Sequence, residues 1–228
     1  MADTLSRFRP GTQQRGEDTR RRILDVALEL FAADGFEGAS TRALAERAGV
    51  NLPAIQYYFG SKEGLYRAVV AEIADHSVAH VAPLAARIAQ ELKDEPSRRR
   101  LVGLLCDMLD IVIQLMLDET VPNRDSRQKF FARMECEPNP ATNVLQDSLI
   151  HHVFRPCTSI VARLVHRRPD DEQVLLKTMT LIGQAKIFCG WGPQRVLRWD
   201  AIGERRVRAV QALVREQVHA IFRVPRSR

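Results

Sequence analysis

The stretch AERAGVNLPAIQYYFGSKEGLY, residues 45–66, contains the end of one helix, the whole of a short second helix and the start of a third. Gly49 ends the first of these helices, and Asn51 is a good N-cap for the second. Pro53 is tolerated just inside the second helix because the amides of the first turn have no intrahelical acceptor. The turn between the two helices is too short for anything but a sharp reversal. The stretch therefore predicts a helix-turn-helix, with a further helix that starts near Ser61.

The residues before this stretch extend the same unit. From Thr19 onward apolar residues recur at helical spacing, at Ile23, Val26, Ala27, Leu30 and Phe31. Gly35 then indicates the end of this helix, and Ser40 is a good N-cap for the helix that enters the quoted stretch. Residues 1–18 hold a proline, two glycines and few apolar side chains, a composition typical of a disordered arm. We therefore expect a disordered arm over 1–18 and a compact three-helix unit after it.

The second helix of the pair, Leu52 to Phe59, is predicted to turn a small and rigid face outward, because Ile55 and Phe59 point inward together. That outer face suits the major groove of DNA: Gln pairs with adenine edges, Ala and Leu touch thymine methyls, and Tyr reaches a phosphate. Lys62, beside the free amides that start the next helix, adds a phosphate clamp. Any single aromatic residue here could equally be a core residue, but the arrangement as a whole favours DNA binding.

The run from Thr19 to Tyr66 resembles the N-terminal DNA-binding domain of TetR-family transcriptional regulators. The resemblance is carried by separate motifs: A-x-x-L-F-A-x-x-G-F, S-T-R-x-L-A, A-G-V and Y-x-F-x-S-K-E-x-L. It implies that two residues open the second helix toward DNA, that the third helix carries the recognition surface, and that two residues grip phosphates. Gln56 departs from the family's pattern, which usually has an aromatic residue there. The expected DNA-contacting residues are Thr41, Arg42, Asn51, Leu52, Pro53, Ala54, Gln56, Tyr57 and Lys62.

The rest of the chain is predicted to be helical nearly to its end. Residues 97–119 are apolar on all sides, which is typical of a buried helix. The resemblance implies a larger helical domain that binds a small molecule and forms the dimer, and FFARMECEPNPATNVL also looks like the C-terminal domain of one TetR subgroup. The expected fold class is all-α, with a three-helix helix-turn-helix DNA-binding domain over 19–66. A larger C-terminal helical ligand-binding and dimerisation domain is expected over 67–228.

An effector pocket is predicted in this C-terminal part. The helix at 97–119 and the segment around Phe130 carry much aromatic and sulfur surface, with a few polar groups that could converge on it. That mixture is typical of a site for a drug-sized organic molecule, although the methionines could equally fill an irregular core. The expected ligand-binding residues are Met108, Met116, Phe130, Phe131, Met134, Glu135, His151 and Gln184.

The last two long helices, predicted over 170–188 and 204–222, each carry an apolar stripe. In the family such a pair meets its copy in a four-helix bundle. The stripes could instead face only the core of their own chain, but a DNA reader with one short recognition helix needs two copies. The expected dimer interface is formed by Leu175, Met179, Ile182, Val210, Val214, Val218 and Ile221.

Composition excludes several classes of protein. The formal net charge is +6, yet residues 1–62 hold nine Lys and Arg against eight Asp and Glu, so bulk charge does not single out this part as the DNA-binding part. No apolar run approaches the roughly 20 residues of a membrane span, and no secretory signal is recognisable, so we expect a cytoplasmic protein without a membrane partner. The four cysteines are widely spaced, which indicates neither a zinc site nor a disulfide framework.

The candidate metal ligands and catalytic groups are incomplete. His76 and His80 lie four apart on one predicted helix but lack a readable third ligand, and no nucleophile accompanies Glu135. We therefore expect no cofactor, no metal and no enzymatic activity; the alternative is a helical enzyme or a metal-responsive sensor behind the DNA-binding domain. The expected function is that of a transcriptional repressor, bound to a near-palindromic operator as a homodimer and released by a small organic molecule.

Overall fold

A computed structural model describes residues 10–117, 123–137, 139–189 and 195–223. Within these residues the chain forms helices and no strand, which confirms the expected all-α class. None of the described helices combines the length and the apolar character that a membrane span requires.

The N-terminal helices are α1 (Pro10–Gly38), α2 (Thr41–Arg47), α3 (Leu52–Phe59) and α4 (Lys62–Glu91). They are followed by α5 (Arg98–Leu117), α6 (Arg124–Cys136), α7 (Asn143–Leu149), α8 (Arg155–Val165), α9 (Glu172–Lys186) and α10 (Glu204–Ile221). Short 3₁₀ turns occupy Leu92–Asp94, Pro140–Thr142 and Ile187–Cys189, and a π-helical turn, Ile150–Phe154, joins α7 to α8.

The chain divides into two compact units that do not follow the predicted domain boundary. The first unit comprises the residues up to Ala71 together with Asp125–Thr142, and the second comprises Glu72–Arg124 and the residues from Asn143 onward. The expected division at residue 67 is therefore wrong in one respect, because α6 belongs to the N-terminal unit. The boundary lies within the single helix α4, so no turn or proline near residue 71 marks it in the sequence.

The predicted disordered arm over residues 1–18 is too long. Helix α1 begins at Pro10, where a proline is tolerated because first-turn amides need no intrahelical acceptor. Two positions further along α1 lie against α3: Arg20 lies over the Phe59 ring, 5.4 Å from its centroid, and a Cβ at Gly16 would lie 3.6 Å from the Tyr58 hydroxyl. Residues 1–9 lie outside the described part of the structure.

The core of the first unit is built around α1 and the start of α4. Phe31, Phe36 and Tyr66 form an aromatic cluster, in which Tyr66 meets the other two rings edge to face at centroid distances of 5.0 and 5.1 Å. Gly35 interrupts α1 with φ 75° and ψ 177°, a conformation that favours glycine, and so turns Phe36 back into this cluster. Phe31 and Tyr66 are buried and Phe36 is half-buried, so this cluster forms part of the apolar centre of the unit.

The core of the second unit is centred on α5, as the sequence predicted for an all-round apolar helix. Ten of its residues are buried, and they pack with apolar residues of α8, α9 and α10. Arg98 at the start of α5 donates to the backbone carbonyls of Leu164 at 2.8 Å and Phe222 at 3.0 Å. Arg215 of α10 donates to the carboxylates of Asp110 at 2.6 Å and Asp107 at 2.9 Å. These contacts fix α10 against α5.

The close approach of α3 to α4 generates a first prediction. A Cβ at Gly64 would lie 2.0 Å from the carbonyl oxygen of Phe59, a backbone atom that cannot move aside alone. We expect Gly64→Ala to lower the free energy of unfolding by about 1–3 kcal/mol, measured by thermal or denaturant unfolding. Gly103→Ala on α5 is the matched control, because nothing lies within 4 Å of its added methyl group. Equal stability of the two variants would contradict this packing.

The cysteines give a second prediction. Burial raises the pKa of the Cys106 thiol to about 11 and that of the Cys157 thiol to about 12, whereas Cys136 is exposed. Since the thiolate is the reactive form, iodoacetamide at about pH 8 should modify Cys136 rapidly and leave Cys106 and Cys157 intact until the chain is unfolded. Peptide mass mapping with and without guanidinium measures this. Rapid labelling of Cys157 in the folded protein would contradict the described core.

Candidate nucleic-acid interface

The α2–turn–α3 segment has the geometry that the sequence predicted. Ser40 Oγ accepts a hydrogen bond from the amide of Ala43 at 3.1 Å, and Asn51 Oδ1 accepts one from the amide of Ala54 at 3.0 Å. Both predicted N-caps are therefore confirmed. Gly49 has φ 62°, the left-handed conformation that lets the chain reverse within the turn.

The inner and outer faces of α3 are clearly separated. Ile55 is buried and anchors the helix, while Leu52 and Tyr57 are exposed, Tyr57 to 82%. Arg42, Asn51, Pro53 and Gln56 are also exposed, and Thr41 and Ala54 are half-buried. Most of the predicted recognition residues thus lie on the accessible surface, where the amides of Asn51 and Gln56, one guanidinium and one phenol are free of core packing. Their contacts with DNA remain a prediction.

Two arginines, neither of them among the predicted functional residues, connect α1 to α2. Arg22 Nε of α1 donates to the carbonyl of Ala48 at the end of α2, at 2.9 Å. Arg47 of α2 pairs with Glu29 of α1 at 3.0 Å, but both side chains are about half exposed, so this pair contributes well under about 1 kcal/mol. The last carbonyls of a helix have no intrahelical donor. An arginine one helix away is a natural partner for such a carbonyl, and this could have indicated the role of Arg22.

The Lys62 ammonium, predicted to bind a phosphate, already has two partners within the protein. Its Nζ donates to the carbonyl of Glu37 at 3.3 Å and lies 4.6 Å from the centroid of the Phe36 ring. At the same corner Ser61 Oγ accepts from the amide of Gly64 at 3.1 Å. The pKa of the Glu63 carboxyl is lowered, first by a backbone hydrogen bond and then by Ser61, so a negative charge already sits at the start of α4. Phosphate binding by Lys62 stays a prediction.

The predicted ligand-binding residues do not form one site within either unit. Phe130 and Met134 are buried in the first unit, where they line a cleft of only about 10 Å³, roughly the space of one water molecule. Met108 is fully buried in the core of the second unit. This agrees with the alternative reading of the methionines, in which they fill an irregular core. Phe131, Met116 and Gln184 are half-buried, His151 is exposed, and the side chain of Glu135 lies outside the described structure. The prediction that Phe130 and Met134 line a preformed drug-sized pocket is wrong.

The predicted dimer residues divide into two groups. Val210, Val214 and Val218 are 2%, 2% and 0% exposed in the single chain, so they fill its own core and offer no surface to a second copy. Their assignment to an interface is therefore wrong. Leu175 and Ile182 are half-buried, and Met179 and Ile221 are exposed, Met179 to 60%. Leu176 and Leu213 are also exposed and were missed, although an apolar residue outside the main stripe of an amphipathic helix could have indicated them.

The rings of His76 and His80 are 4.7 Å apart, and His80 Nδ1 lies 2.8 Å from the carbonyl oxygen of His76. Among the residues that the structure describes, no three His, Cys, Asp or Glu side chains come together as a metal site would require.

Two family models match the chain. Residues 23–69 match bacterial regulatory proteins of the tetR family, and residues 101–223 match the C-terminal domain of the HTH-type transcriptional dual regulator CecR. The CecR protein of Shigella flexneri is 30% identical over 212 residues, which cover 90% of this chain and 92% of that protein. The regulator RutR of Escherichia coli strain K12 is 36% identical over 121 residues, covering 44% of this chain and 57% of RutR.

Solved structures agree at the level of the fold. A transcriptional regulator from Rhodococcus sp. Rha1 covers 88% of this chain and 96% of its own, with a TM-score of 0.57 and 13% identity. GusR of Salmonella enterica covers 90% of this chain and 96% of its own, with a TM-score of 0.54 and 16% identity. The relatives are transcriptional regulators rather than enzymes, and the two matched segments include both the helix-turn-helix and most of the second unit. The chain therefore belongs to the TetR family of bacterial transcriptional regulators.

Proposed function

We propose that this regulator is a repressor that binds a near-palindromic operator as a homodimer and is released by a small organic molecule. The observation that carries the DNA-binding part is the outer face of α3, which is exposed, rigidly capped and composed of small side chains around Gln56. As a regulator of bacterial genes, the protein would act in the cytoplasm.

The exposed side chains suggest how the operator is read. The Gln56 amide has the donor and acceptor needed for a bidentate pair with adenine, and Arg42 has the fork that matches guanine. Leu52 and Ala54 can contact thymine methyl groups, and the Tyr57 hydroxyl can reach a phosphate. Asn51 Oδ1 already accepts the N-cap hydrogen bond, while both donors of its amino group are available to DNA. Base reading is therefore concentrated in a few residues.

A second copy is needed because one eight-residue helix touches only a few base pairs. Two reading heads one helical turn apart, about 34 Å, would cover a palindromic site. The exposed apolar residues of α9 and α10 support the same assembly, because these two helices pack together and carry Leu176, Met179, Leu213 and Ile221 on their accessible surface. We assign the dimer interface to these residues, with Leu175 and Ile182 at its edge.

Two observations support the proposal that an effector releases the operator: membership of the family and the course of α4. This helix runs without interruption from the first unit into the second, so a conformational change in the second unit is covalently connected to the helix-turn-helix. An effector that lowers operator affinity must bind the free protein more tightly than the DNA-bound protein by the same factor. Titrating thermal-shift hits against both forms tests this. A compound that binds both forms equally is not the inducer.

The most informative single experiment is selection of bound DNA from sheared genomic fragments, followed by footprinting. A protected pair of half-sites upstream of a gene supports the proposal, and a reporter assay then distinguishes repression from activation. Binding that is equal for all fragments would contradict operator recognition.

Base reading by Gln56 gives a third prediction. Gln56→Ala should remove discrimination at one base pair of each half-site, at a cost of about 1–3 kcal/mol, because a bidentate contact to one base is lost. Fluorescence anisotropy with every single-base variant of the operator measures this. Gln146→Ala, at an exposed glutamine of α7, is the matched control and should bind as the unsubstituted protein does. A uniform loss across all operator variants would make Gln56 structural instead.

The dimer interface gives a fourth prediction. Met179→Glu should produce folded monomers with weak operator binding, because it places a charge on the proposed apolar surface. Val214→Glu should instead unfold the second unit, since it buries a charge in the core. Sedimentation and circular dichroism separate the two results. Lys177→Glu, about 200° around α9 from Met179, is the control and should leave the dimer intact. If the Met179→Glu variant remains a dimer, the interface does not lie on this surface.

A further inference from the structure

Helix α6 presents one face to the rest of the first unit. Phe130 lies three and four residues before the adjacent pair Arg133 and Met134, and Glu137 lies four and three residues after that pair, so the four residues share one side of the helical segment and its C-terminal end. We call these four residues the α6 latch. The sequence reasoning placed two of them in an effector pocket, and the structure gives all four a different environment, against α1 and α4.

The apolar half of the latch closes the aromatic cluster. Phe130 is 2% exposed, and its ring centroid lies 5.4 Å from that of Tyr66. Tyr66 in turn contacts Phe31 and Phe36 edge to face. Met134 is also buried and lines the same narrow cleft. These contacts hold α6 at the end of α1, next to the residues that lead into the helix-turn-helix.

The polar half of the latch caps the part of α1 that ends at the Gly35 kink. Arg133 Nε donates to the carbonyl of Ala32 at 3.2 Å, and one of its terminal nitrogens donates to the carbonyl of Ala33 at 2.5 Å. The other terminal nitrogen donates to Glu137 at 2.5 Å. The last carbonyls of a helix lack intrahelical donors and carry partial negative charge, so a guanidinium is well suited to satisfy them. Each of the three guanidinium nitrogens thus donates a hydrogen bond to α1 or to Glu137.

Gly35 makes this arrangement possible. A Cβ at that position would lie 2.7 Å from Glu137 Oε2 and 3.1 Å from a terminal nitrogen of Arg133, so the ends of these two side chains would have to shift, and φ 75° itself disfavours any other residue there. On the segment that follows, Lys62 donates to the carbonyl of Glu37. We call residues 35–40, from the kink in α1 to the N-cap of α2, the link. The link is contacted by α6 at Gly35 and by Lys62 of α4 at Glu37, just before Ser40 caps α2.

We propose that Arg133 is a positioning residue for operator binding: by capping α1 beside Gly35 it fixes the link into α2 and so sets the orientation of the helix-turn-helix. This inference rests on the proposed function, because it concerns the same DNA-binding surface. Without the cap the link samples other conformations, and the fraction of molecules competent to bind the operator falls. Apparent affinity falls by the same fraction. Arg133 itself touches no DNA in this account.

The test uses the full chain with Arg133→Gln, Arg133→Lys and the control Arg167→Gln. Arg167 forms an exposed pair with Asp171 at the same i,i+4 spacing, at 2.9 Å, in the second unit. We expect Arg133→Gln to weaken binding to the selected operator by about tenfold, the size of a lost charged hydrogen-bond network. Arg133→Lys, which keeps the charge but loses the fork, should recover part of that loss. Arg167→Gln should bind as the unsubstituted protein does.

Two readouts distinguish positioning from simple loss of folded protein. The active fraction is determined by stoichiometric titration, and Kd is corrected for it. Folded molecules in rapid exchange with the competent conformation are all recruited at stoichiometric DNA concentrations, so a positioning role raises the corrected Kd at an unchanged active fraction. Simple loss of folded protein would instead lower the active fraction and leave the corrected Kd unchanged. The slope of affinity against salt concentration should stay the same, since no phosphate contact is removed. An unchanged corrected Kd, or a reduced salt slope, overturns the proposal.

Amide hydrogen exchange tests the latch without DNA. Exchange in peptides covering Gly35 to Ala45 should become about tenfold faster in Arg133→Gln and stay unchanged in Arg167→Gln, because loss of the cap makes local opening easier. Unchanged exchange there overturns the latch even if operator affinity has fallen. If the unsubstituted protein binds no DNA specifically, the proposed function fails, while the exchange measurement still decides whether Arg133 fixes the link.

Discussion

An eight-residue helix is not stable alone in water, since isolated helices shorter than about 12–15 residues are marginal. Helix α3, the proposed recognition helix, therefore depends on its surroundings for its shape. Ile55 anchors it in the core, Asn51 caps it, and Arg22 secures the end of the preceding helix. A cap of this kind contributes about 1 kcal/mol, so no single contact is decisive. The exposed face of α3 is accordingly held in shape by the whole first unit, and the proposed recognition of DNA depends on that unit as well as on the exposed residues.

The helix-turn-helix could be predicted because its determinants are local. The caps at Ser40 and Asn51, the glycine turn and the buried position of Ile55 all follow from residues within a few positions of one another. The outward face of α3 follows from the same periodicity, and its exposure agrees with the prediction. The partners of Lys62 could not be predicted, because a backbone carbonyl 25 residues away leaves no mark on the sequence.

Elsewhere the sequence showed which residues are buried but not what buries them. The stripe of Val210, Val214 and Val218 is apolar whether a second copy or the chain's own α5 covers it, and the structure has α5 there. The same ambiguity affected Phe130, whose aromatic ring suits a ligand site as well as a packed cluster. Its neighbour in space, Tyr66, lies 64 residues earlier, so periodicity within α6 could not identify it.

The first unit is discontinuous along the chain, and this affects the order in which it can be assembled. During synthesis the residues up to Ala71 emerge before Phe130 and Arg133, so the aromatic cluster stays uncovered until about the middle of the chain has been made. The same discontinuity limits the exchange of parts between related regulators. A chimaera joined within α4 would combine the α1 of one protein with the α6 of another, and its two parents would have to agree at that contact as well as at the junction.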